Sequence, residues 1–75
     1  MDAGALLALK NAWNGAVGTA DRLRDLAPNI TALADPAALS EPDLETYHQA
    51  ALAHANAAHA LRGLIEELRR KAAAS

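Results

Sequence analysis

Apolar positions recur at three- and four-residue intervals through two long stretches of the chain, separated by a shorter interval containing Pro28 and Pro36. At about 100° of rotation per residue, Leu6, Leu9, Trp13, Ala16, Val17, Ala20, Leu23 and Ala27 fall on one stripe. This spacing predicts a helix over about 2–27, capped by Asp2 and stopped by Pro28. A second stripe, Leu44, Tyr47, Ala51, His54, Ala58, Leu61, Ile65, Leu68 and Ala72, predicts a helix over about 41–73. Its entry is marked by Ser40-Glu41-Pro42-Asp43: a capping serine, acids where the helix dipole favours them, and a proline whose missing N–H does no harm in a first turn. The linking interval 28–40 is too long to lack structure in so small a protein. Asp35-Pro36 repeats the cap-and-proline signature, so a helical turn is expected over about Pro36 to Leu39, with Ile30, Leu33 and Leu39 covering the end of the pair. The fold class is all-α: one domain, 1–75, built as an antiparallel helical hairpin.

Composition sharpens this picture. Of the 39 apolar residues, 21 are alanine and only 18 are larger. Val17, Ile30 and Ile65 are the sole aliphatic β-branched residues and Phe is absent, so nothing favours strands. A core this thin, with no cysteine available for a disulfide, calls for burial against something else. Gly15 and Gly18 add a second hint, because each costs about 1 kcal/mol in a helix relative to alanine. With Ala8, Ala12 and Thr19, Gly15 makes a small-residue face roughly opposite the Trp13 stripe, along which a second chain could approach closely. Two hairpins would then form a four-helix bundle. The expected dimer or core residues are Trp13 as principal anchor, Ala12, Gly15, His54, Leu61, Ile65 and Leu68.

Charge excludes several function classes and suggests one feature. Seven basic against nine acidic residues give a net charge of −2, which offers no attraction to a phosphate backbone, so nucleic acid is not expected as a partner. No apolar run is long enough to span a membrane, and the acidic start does not read as a signal peptide. Together with the absence of cysteine this points to the cytoplasm. Heavy alanine use accompanies GC-rich coding and suggests a bacterial or phage source. Between Leu26 and Leu61 the only charged residues are Asp35, Glu41, Asp43 and Glu45, whereas Arg62, Arg69, Arg70 and Lys71 crowd the end of the second helix. A hairpin would therefore carry an acidic and a basic pole. Glu66 with Arg70 and Glu67 with Lys71 are spaced as i, i+4 ion pairs.

The candidate chemical motifs are thin. Trp13-Asn14-Gly15 has the Trp-x-Gly form found in the turn of a family of small secreted helical hairpins. Here it falls inside the first helix, with the leucine stripe running past it to Leu23, so the likeness is read as coincidence. Glu45-Thr46-Tyr47-His48 has the Glu-x-x-His spacing of four-helix di-iron sites, but the first helix offers no glutamate to complete one. His48 and His59 share a face about 16 Å apart along the axis, and His54 points elsewhere, so one helix cannot bring the three to a metal. His54 instead lies on the core stripe, as a partly buried imidazole hydrogen-bonded across an interface or as a pH-sensitive register residue. No nucleophile with a base, no phosphate loop and no paired carboxylates are found, so neither catalytic residues nor cofactors are expected.

The expectation is therefore a non-enzymatic interaction protein, a homodimer that binds and regulates or inhibits another macromolecule, expected to be a protein. Its candidate contact residues are Leu52, His48 and His59 on one face, with Arg62, Arg69 and Arg70. The alternative is a bundle that binds a small ligand or nucleotide at its dimer seam, with His54 or Asn14 as polar anchors. An RNA-binding hairpin would have to use Lys10, Asn11, Asn14 and Arg22, beside the acidic Asp21 and Asp25.

Overall fold

A computed structural model describes residues 2–74. Helix α1 spans Ala3–Thr31, a single 3-10 turn spans Pro36–Ala38, and helix α2 spans Glu41–Ala74. The two long helices pack against each other as an antiparallel hairpin measuring 57 × 17 × 16 Å.

The helix starts follow the local chemistry. The Asp2 carboxylate accepts from the Ala5 N–H at 2.7 Å, and the Ser40 hydroxyl accepts from the Asp43 N–H at 3.2 Å. Asp35 caps the connecting turn by accepting from the Ala37 N–H at 3.0 Å. Each cap satisfies one of the amides that a helix start leaves without an intrahelical partner.

Pro28 does not stop α1. The helix runs through it to Thr31, and the Ala32 N–H donates to the Pro28 carbonyl at 3.1 Å. Proline forfeits the hydrogen bond of its own nitrogen, but not those of the residues that follow it. The extra turn carries Leu33 to a half-buried position beside Ile30, Pro36 and Leu39, which close the loop end.

The line along which the helices meet runs along one edge of the predicted stripes. On α1 the half-buried residues are Ala5, Leu9, Ala12, Ala16, Thr19, Ala20, Leu23 and Leu26. On α2 Tyr47, His54, Ala57, Ala58, Leu61, Leu64, Ile65 and Leu68 are half-buried and Ala50 is buried. Apart from Ala20, Ala58 and Ile65, which border the line on the Trp13 side, both series alternate steps of three and four, the 3.5-residue repeat of a left-handed coiled coil rather than the 3.6 of a straight helix. Thr19 sits opposite His54. Equal steps from that contact place Ala16 opposite Ala57, Ala12 opposite Leu61, Leu23 opposite Ala50, and Ala5 opposite Leu68. Leucine faces alanine at three of the seven levels, where the helix axes can close up, and the same steps set Leu9 against Leu64 and Leu26 against Tyr47.

Trp13 consequently lies outside this seam, 55% exposed, and does not anchor the hairpin interior. Conversely, Ala12 and Thr19, expected on a face reserved for a second chain, are inside it. Gly15 gives no close approach either. A methyl group added at Gly15, Gly18 or Gly63 would meet nothing within 4 Å, and no glycine has positive φ.

The three glycines should therefore be replaceable. Gly18→Ala and Gly63→Ala are each expected to stabilise the fold by about 0.5–1 kcal/mol, read as a rise in the urea midpoint with unchanged slope. A loss of stability at Gly18 would show that its surface is closely packed in solution.

Candidate functional site

Two surfaces carry the residues singled out from the sequence: the seam between the helices and the outward side of α2. At the middle of the seam Thr19 Oγ1 lies 2.9 Å from Nδ1 of His54, both side chains half-buried. The same hydroxyl lies 3.0 Å from the Ala16 carbonyl and 3.2 Å from that of Gly15. A hydroxyl has one proton to give. If it goes to the Ala16 carbonyl, Thr19 also accepts from a protonated Nδ1, and both groups are satisfied. If it goes to Nδ1, the bond back to α1 is lost. The first arrangement makes more hydrogen bonds and puts a proton on Nδ1 of His54.

Leu61, Ile65 and Leu68 are half-buried with His54 along α2, and Ala12 faces them from α1. Sequence reading missed Ala50, the one described residue that counts as buried, at 8% exposure, together with Ala57 and Leu64. The signal was present in the strict alternation of three and four, hidden because alanine carries little weight beside Trp13 and Val17.

On the outward side of α2, His48, Leu52 and His59 are all exposed, with Leu52 at 44%. Helical rotation continues this stripe to Arg70. Arg62 and Arg69 stand off it, toward the flank that faces the Trp13 side of α1. The ion pairs are also redistributed. Glu66 bonds to Arg62 at 3.1 Å instead of Arg70, whereas Glu67 does pair with Lys71, at 3.3 Å. Both are solvent-exposed and worth little individually. Glu45 accepts from Gln49 at 2.8 Å, which engages the carboxylate of the Glu-x-x-His pair.

Among the described residues no group of three or more His, Asp or Glu side chains could hold a metal ion, and no helix is long and apolar enough to cross a membrane. The Trp13-Asn14-Gly15 tripeptide lies in the middle of α1 and takes no part in the turn. No family model, curated protein or solved structure matches this chain.

Two measurements bear on the seam. Thr19→Val should cost about 1 kcal/mol through the lost inter-helix hydrogen bond, seen in urea unfolding. ¹⁵N NMR of the His54 ring in its neutral form should show the proton on Nδ1, and a proton on Nε2 would place the hydroxyl as donor instead.

Proposed function

We propose that the protein is a non-enzymatic interaction module, a homodimer of hairpins arranged as a four-helix bundle that binds and regulates another protein. The observation that carries this reading is the amount of surface left uncovered. The single chain exposes 5646 Å², whereas a compact monomer of 7.8 kDa would expose about 4400 Å². The excess, about 1250 Å², exceeds the roughly 800 Å² that one partner contributes to a standard interface. It includes large apolar side chains, among them Leu7 at 59% and Trp13 at 55% exposure. Isolated apolar residues on a surface are ordinary, but an almost coreless hairpin that displays so many has reason to associate.

The regulated partner would meet the stripe of His48, Leu52, His59 and Arg70 on α2. Here one leucine is ringed by groups able to hydrogen-bond, as at the centre and rim of a small protein interface.

Sedimentation equilibrium tests the premise. The expected species has twice the 7.8 kDa chain mass at micromolar concentration. A fully helical 7.8 kDa species under those conditions would overturn the self-association half of the reading.

A further inference from the structure

The Thr19–His54 contact sets the register of the hairpin, and the two contact lines set the rotation of each helix, so the placement of the remaining side chains follows. Going round α1 from its contact line in the direction the chain winds, Leu6, Trp13 and Val17 lie roughly 85–125° away. Going round α2 in its own winding direction, Ala58 and Ile65 lie roughly 45–65° away. In antiparallel helices, displacement in the same winding sense leads to the same side of the pair. These residues therefore make one apolar face straddling both helices, with Leu6 and Val17 exposed and Ala58 and Ile65 half-buried around Trp13. The opposite side presents mostly small groups such as Ala8, Gly15 and Ala53.

We propose that this face is covered by a second copy of the chain, docked antiparallel so that the loop end of one hairpin lies over the open end of the other. The assignment rests on the self-association reading above and adds to it a surface and a direction. Area supports a second copy, since the surplus surface of each chain is enough for one side of a stable dimer. Charge supports the direction. At the loop end the six acids between Asp21 and Glu45 outnumber Arg22 and Arg24, a net of −4. At the open end Lys10, Arg62 and the three bases of 69–71 outnumber Asp2, Glu66 and Glu67, a net of +2. A parallel dimer would stack like pole on like pole, whereas the antiparallel one sets +2 against −4 twice. Arg62 and Arg69 border the same face, so docking carries them toward the partner's acidic end.

The test combines mass and distance. Trp13→Glu places a charge on an already exposed position, so the hairpin should stay helical by circular dichroism while dimer dissociation strengthens by about 100-fold. Leu52→Glu, on the outward stripe of α2, should leave the mass unchanged. A nitroxide on Ala73→Cys, near the open end, should report an inter-chain distance of about 40 Å or more in the antiparallel dimer and under about 25 Å in a parallel one. A dimer with the short distance overturns the direction, and a dimer indifferent to Trp13→Glu overturns the face. Both results leave the self-association reading intact. A wild-type monomer overturns that reading and this inference together, and would make the face a site for a different protein.

Discussion

The hairpin depends on a line of alanines that lets two helices come close. Ala16 and Ala57 meet at its centre, next to Thr19 and His54, and leucines face alanines on either side. Such a seam gains many short contacts between backbones and methyl groups but buries little apolar surface per residue. Leu9, Leu23, Leu26, Tyr47, Leu61, Leu64 and Leu68 also lie along it, whereas Trp13, Val17 and Leu6 are carried to the flank. A seam interspersed with alanines and an apolar exterior thus go together.

A seam of alanines and leucines also has a weak sense of register, since one apolar repeat resembles the next. The Thr19–His54 pair supplies what the apolar groups cannot. A slip of one heptad would set Thr19 against Tyr47 or Leu61 and leave the imidazole facing alanine or leucine. The half-buried imidazole would then lose its partner, while Thr19 kept only the carbonyls of its own helix, and an unmade bond at a half-buried group costs more than a made one contributes. A single polar contact on a coiled-coil line serves to select one alignment among several of similar apolar burial.

Charge works at longer range. The exposed ion pairs of α2 contribute little to the stability of one chain. Their arrangement matters more, because folding the chain back on itself gathers acids at the loop and bases at the open end. The polarity of the hairpin is a property of its connectivity, and it gives an otherwise uniform apolar flank a preferred direction for docking.

Much of the fold was legible from residue types alone: two helices, the Asp2 and Ser40 caps, the turn after Asp35, and the absence of strand-forming material. These are local effects, decided by backbone geometry and by hydrogen bonds within a few residues. What the tertiary structure decided was which edge of each apolar stripe faces inward. Trp13 looked central because large side chains usually mark a core, and Pro28 looked terminal because proline usually ends a helix. Both expectations yielded to the mutual fit of two surfaces. Rotation of a helix about its axis is set by what the opposite helix can accommodate, and here Leu23, Ala16 and Thr19 turn toward Ala50, Ala57 and His54 while Trp13 stays 55% exposed. The heptad alternation that encodes this fit lies in the sequence, but only the pairing of the two helices shows that it outweighs the bulkier stripe beside it.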